Sequence, residues 1–201
     1  MDVDYQANIN LLEEAKKSGV RKFIYVSVLH GQHLTNLKIC NAKEKFVKSL
    51  ESSGLDYCII RPTGYFSDMA EFYTMAKKGR IFLFGNGSHR MNPIHGEDLA
   101  KVCADAIQSN DKEILVGGPD NLTYRQIAKT AFEVSGRKEK ITHIPYWISR
   151  FGLFFLRAFT SSKFYGPIEF FMTVLSMDVV APQHGSHHLK VYFKGLKSSK
   201  G

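Results

Sequence analysis

Two short, almost continuous apolar runs constrain this chain most: Phe23-Ile-Tyr-Val-Ser-Val28 and Leu55-Asp-Tyr-Cys-Ile-Ile60. Both are β-branched or aromatic, and each follows a helix-patterned segment after a glycine. A strand with no wet face must be covered on both sides, which is the condition of a parallel sheet between helices. The flanking segments supply those helices. Ile9, Leu11, Leu12 and Ala15 fall at helical spacing before Gly19, and Leu37 to Ser52 is a Lys- and Glu-rich stretch stopped at Ser53-Gly54. Strands alternating with helices predict an α/β fold with a largely parallel sheet.

The alternation continues. The pattern predicts a helix over Asp68 to Lys78, a strand over Arg80 to Phe84 and a turn at Gly85 to Gly87. It then predicts a helix over Glu97 to Gln108, with Leu99, Val102, Cys103 and Ile107 on one face, and a strand over Glu113 to Val116. Thr123 is placed to cap a helix ending at Ser135, with Gly136 behind it. A short strand over Lys140 to Ile144 precedes a helical, aromatic stretch to about Met177. The last dozen residues read as a frayed, solvated end.

Charge narrows the function classes. The net charge is +8, but Lys190, Lys194, Lys197 and Lys200 lie in the last 21 residues without an acid among them. The body is only mildly basic, which argues against nucleic acid as the partner. Cys40, Cys58 and Cys103 are scattered, with no CxxC spacing. They point to a reducing, cytoplasmic setting without a disulfide framework or zinc site. The stretch from Ile144 to Phe159 is interrupted by Arg150 and Arg157 and is too short for a membrane span.

The order of motifs resembles a known family. Val3 to Leu12 leads into Gly19-Val-Arg-Lys-Phe-Ile-Tyr-Val-Ser27. Lys43, Ser53-Gly54-Leu55, Arg61-Pro62-Thr-Gly-Tyr-Phe66 and Pro93-Ile-His-Gly-Glu-Asp-Leu-Ala100 follow. Together these resemble the atypical and extended short-chain dehydrogenase/reductases, particularly the NmrA-like, NAD(P)-binding members. The resemblance implies a Rossmann-like fold and NAD(P) as cofactor. Residues 1–118 would form the C-terminal half of the cofactor domain, and residues 119–201 a small, mainly helical substrate- or partner-binding part packed against it. Such proteins open with a strand, a glycine-rich turn and a helix whose N-terminus receives the pyrophosphate. No such motif is present, since Gly85 and Gly87 precede Ser88-His89-Arg90 and open no helix. The expectation is an N-terminally truncated domain with impaired dinucleotide binding.

Candidate site residues follow from the same resemblance. The family uses a strand-end Ser, a Tyr proton donor and a Lys four residues after the Tyr, on one helix face. Ser27 and Lys43 match the Ser and the Lys as catalytic and cofactor-binding candidates, and Ile39 stands at the Tyr position. Read from the residues alone, Ser27 is equally a strand-end hydroxyl and Lys43 one of several lysines on a wet face. Pro62, Tyr65 and Phe66 would flank the nicotinamide, with Tyr65 a spare hydroxyl; the plainer reading is a structural turn with both rings in the core. His95, Glu97 and Asp98 read as a capped helix start. His184, His187 and His188 read as a surface cluster, and no metal ligands are expected.

Ten of the 25 aromatic residues gather between Ile144 and Leu175. They read as core or substrate pocket, with a peripheral-membrane or protein contact through residues 144–171 as the other option. The function expected is that of an NAD(P)-dependent oxidoreductase or epimerase-like protein acting on a small molecule. The alternative is a non-catalytic NmrA-like sensor or scaffold.

Overall fold

The two apolar runs become neighbouring parallel strands. The structure, a computed structural model, describes residues 2–198. A π-helical turn, Asp2–Ala7, runs into α1 (Asn8–Lys17), followed by β1 (Lys22–Val26), α2 (Lys38–Glu51), β2 (Asp56–Pro62) and α3 (Phe66–Lys77). Then come β3 (Ile81–Phe84), β4 (Arg90–Met91), α4 (Gly96–Asp105), β5 (Glu113–Val116), β6 (Leu122–Thr123) and α5 (Tyr124–Ser135). The chain continues with β7 (Ile141–Ile144), α6 (Tyr146–Phe159), α7 (Ser162–Val174) and α8 (Leu189–Ser198).

The main sheet has the order β1-β2-β5, all parallel, with Ile24 opposite Cys58 and Arg61 opposite Leu115. A second parallel pair joins β3 to β7, and the two-residue strands β4 and β6 pair antiparallel. The architecture is α/β, Rossmann-like and mostly parallel.

Strand alternation decides which helix covers which face. Tyr25 and Ile59 point to one side, where Leu12 of α1 and Phe46, Val47 and Leu50 of α2 close over them. Cys58 and Ile60 point to the other, against Leu99 and Val102 of α4. A third cluster joins α3 to the chain beyond residue 119: Phe66, Phe72 and Tyr73 pack with Tyr124, Ile127 and Phe132 of α5 and with Leu189 and Phe193 of α8.

That cluster overturns the frayed tail. From 189 to 198 the chain is helical, with Leu189 and Phe193 fully buried. Lys190 pairs with Glu133 at 2.5 Å and Lys197 donates to the Val134 carbonyl at 3.0 Å. Half of the lysines read as a solvated end therefore tie α8 to α5; Lys200 lies outside the described residues.

The aromatic stretch divides. Phe170 and Phe171 of α7 line a cavity, Phe171 still 40% exposed, whereas Trp147 is 69% exposed and Phe159 80% exposed on α6. Arg157 of α6 pairs with the buried Glu169 of α7. Among the described residues, no helix is long and apolar enough to cross a membrane.

Candidate functional site

Beyond the C-terminal ends of β1 and β2 lies a cavity of about 210 Å³. This is where ligands sit in open parallel sheets, because the loops there diverge. Ser27, Lys43, Pro62 and Tyr65 all line it. Thr63 and Asp68 add to the polar wall, and Val26, Ile39, Met69, Phe171 and Val174 to the apolar one.

Ser27 extends β1 by one residue, its N–H donating to the Ile60 carbonyl at 2.8 Å. Its hydroxyl donates to Glu44 Oε1 at 3.3 Å and accepts from Arg61 Nη1 at 3.4 Å. Behind it, Arg61 and Glu44 form a buried two-point ion pair of 2.5 and 3.0 Å, and Arg61 Nε reaches Glu113 at 2.6 Å. Burial works against the Arg61 charge, but the hydrogen bonds and charges of Glu44 and Glu113 outweigh it and hold its pKa above the ordinary value. Gly31 passes so close that a Cβ there would lie 2.6 Å from Glu44 Oε1. Ser27 thus serves both the cavity wall and the charged network behind it.

Lys43 lies one helical turn beyond Ile39, so both face the cavity. Its ammonium lies 5.8 Å from the centre of the Tyr25 ring. The alkyl side chain of Ile39 therefore occupies the wall where the resemblance places a phenol.

Tyr65 precedes α3, where the Asp68 carboxylate accepts its backbone N–H at 3.2 Å. Burial, helped by the Asp68 charge, pushes the Tyr65 phenol pKa up, and burial likewise raises that of Asp68. The Tyr65 phenol is a neutral hydrogen-bond donor at physiological pH, not a phenolate. Thr63 Oγ1 donates to the Asn92 carbonyl at 2.6 Å, and the buried Asn92 amide ties down Gly118 and Ala181 at 3.1 and 2.8 Å.

Phe66 stands apart from the other candidates. It is buried in the core, its ring 5.4 Å from Tyr192 and 5.5 Å from His95, and does not line the cavity. The turn therefore splits, with Tyr65 at the cavity and Phe66 in the core. The C-terminal histidines also separate: His187 Nδ1 meets Asp98 at 2.9 Å, while His188 Nδ1 meets Asp120 at 2.8 Å.

Sequence reasoning missed Glu44. Its signal was present, because Cys40, Glu44 and Val47 follow the i, i+4, i+7 spacing of a buried stripe. An acid inside such a stripe implies a buried basic partner. Asn92 carried no comparable signal.

Residues 1–110 match a family described as NAD(P)H-binding. The divinyl chlorophyllide a 8-vinyl-reductase of Cucumis sativus is 29% identical, over 92% of this chain and 48% of its own length. Photosystem II assembly factor Ycf39 of Guillardia theta is 28% identical, over 71% of this chain and 47% of its own. The chain spans about half the length of the curated relatives it matches. The NADPH-dependent quinone oxidoreductase QOR2 of Escherichia coli superposes with a TM-score of 0.75 at 17% identity, covering 94% of this chain and 72% of that one. At that identity the likeness is one of fold. The chain belongs to the family described as NAD(P)H-binding.

Proposed function

We propose that the cavity receives the nicotinamide end of NAD(P)H beside a largely apolar acceptor, and that the acceptor is reduced at a conjugated carbon–carbon double bond. The observation that carries this reading is Ile39, one turn before Lys43 on the cavity wall. Carbonyl reduction builds negative charge on an oxygen and calls for a proton donor beside it. Alkene reduction instead places the hydride on one carbon and a proton on its neighbour, so an alkyl group at position 39 is compatible with it. NAD(P)H would supply the hydride, leaving NAD(P)⁺. Lys43 and Ser27 would hold polar atoms of the ring's carboxamide and ribose. Tyr65, kept protonated by burial, is the hydroxyl placed to give the proton. The name of the cucumber relative, a vinyl reductase, supports the same class of acceptor.

The fit concerns the nicotinamide end. Among the described residues, no glycine-rich turn leads from a strand into a helix N-terminus to receive the pyrophosphate, so binding of the whole dinucleotide by this chain is proposed to be weak. The chloroplastic names of the reductase relatives support a plastid over the cytoplasm that cysteine usage suggested.

Amide NMR with reduced nicotinamide mononucleotide tests the reading. Resonances of Ser27, Lys43, Gly64 and Tyr65 are expected to shift together at millimolar ligand. Shifts confined to other residues, or none at 10 mM, overturn it.

A second reading is a non-catalytic scaffold that keeps the cavity without turnover. The exposed rings of α6 favour it, as does the likeness to an assembly factor. Lys43-dependent oxidation of NADPH by any conjugated acceptor would exclude it.

A further inference from the structure

The loop before α4 and the loop before α8 meet at one place on the surface. His95 caps α4, and its ring stacks on His187, the centroids 4.3 Å apart and the planes 22° from parallel. Glu97 Oε2 lies 3.4 Å from His187 Nε2. Donor atoms of His95, Glu97 and His187 all fall within 4.8 Å of one another. We infer that these three side chains form a binding site for a divalent transition-metal ion, of the zinc or nickel class.

Two imidazole nitrogens and one carboxylate oxygen are the donor set that zinc, nickel and copper favour over magnesium or calcium. Bonds of about 2.0–2.2 Å around a tetrahedral ion put its ligands about 3.3 Å apart. Glu97 Oε2 and His187 Nε2 already stand near that spacing, and the His95 ring must turn off its stack on His187 to aim a nitrogen at the same ion. Three protein ligands leave a coordination position for water.

The support behind the ligands argues for a built site rather than a chance meeting. Asp98 is 1% exposed, yet takes no part in the cavity chemistry. Its Oδ1 faces His187 Nδ1 at 2.9 Å, and its Oδ2 accepts the N–H groups of Ser186 and His187 at 3.2 and 3.0 Å. That is the outer carboxylate which fixes a ligating histidine with its other nitrogen presented outward. Gly185 makes the approach possible. It adopts φ +79°, and a Cβ there would lie 2.1 Å from the Asp98 carboxyl carbon.

Two features oppose a cation. The α4 N-terminus carries partial positive charge, which the Glu97 and Asp98 carboxylates outweigh. His95 Nδ1 also accepts the Glu97 N–H at 3.3 Å, and ligation through that nitrogen costs this long, weak cap bond.

The test is calorimetry with Zn²⁺ on the chelator-treated full chain, with Co²⁺ absorption reporting the geometry. One equivalent is expected to bind with micromolar affinity, and Co²⁺ to give the intense visible bands of a four- or five-coordinate site. Glu97→Gln, at an exposed position, and His187→Gln should each weaken binding at least tenfold without changing the fold. His30→Gln with His33→Gln, the other close histidine pair, should leave it unchanged. Failure to bind at 100 μM Zn²⁺, or binding that survives both Glu97→Gln and His187→Gln, overturns the site. Neither outcome bears on the nicotinamide cavity.

Discussion

Arg61 and Glu44 close a two-point ion pair, 2.5 and 3.0 Å long, directly behind the Ser27 hydroxyl. Both are buried, so removing one partner leaves the other charge without compensation. Glu44→Gln is expected to destabilise the chain by about 3–5 kcal/mol. Replacing both, as Glu44→Leu with Arg61→Met, should cost clearly less than the two single changes added together. Urea denaturation of the parent, Glu44→Gln, the two single changes Glu44→Leu and Arg61→Met, and the double change checks this. Additive costs would mean that the pair is not coupled.

Lys43 brings a positive charge to the cavity wall. Lys43→Met is expected to weaken reduced nicotinamide mononucleotide about tenfold, the worth of one hydrogen bond of about 1.4 kcal/mol. Because Lys43 is only half-buried, the variant's thermal midpoint should change little. Titration by NMR gives the affinity and calorimetry the midpoint. Unchanged affinity would remove Lys43 from the site.

Cys40 lies on α2 beside this network, fully buried. Burial, and then the Glu44 charge, pushes its thiol up to about 11, with Lys43 opposing. The folded pKa stands above the unfolded one, so this stabilisation is fully present below about pH 9. It is lost as the pH rises through 11, in total about 2–3 kcal/mol. Urea unfolding at pH 8 and at pH 11 should show that loss in the parent chain and much less of it in Cys40→Ala. Below pH 9, thiol reagents should label Cys40 only at the rate of unfolding.

Strands β1 and β2 were legible because a continuous apolar run has few other homes, and helices α1, α2, α3 and α5 because a glycine follows each of them. Thr123 and Gly136 bound α5 as their chemistry requires, with Thr123 Oγ1 accepting the Gln126 N–H and Gly136 at φ +70°. Ser27, Lys43, Pro62 and Tyr65 were traced through a resemblance, and the structure brings them to one cavity. Glu44 sits in a buried stripe of α2 that marks it as paired, but its partner is not local: Arg61 lies 17 residues away on another element. Long-range pairs of this kind leave little local pattern. His187 and Asp98, 89 residues apart, were missed for the same reason.

Lysine spacing hid α8. Lys190, Lys194 and Lys197 made the segment look solvated, yet Leu189 and Phe193 sit one turn apart and are fully buried. The Phe193 ring packs 5.9 Å from Tyr73 of α3, while other α8 contacts reach α5. The helix therefore links α3 and α5. Phe193→Ala should cost about 3–5 kcal/mol, the range for emptying an aromatic site in a core. Lys194→Ala, one residue on and exposed, should cost less than about 0.5 kcal/mol. Chemical denaturation of the pair separates the two roles. A small effect at Phe193 would show that α8 lies on the surface without being part of the core, and hydrogen exchange of the 189–198 amides would then be fast.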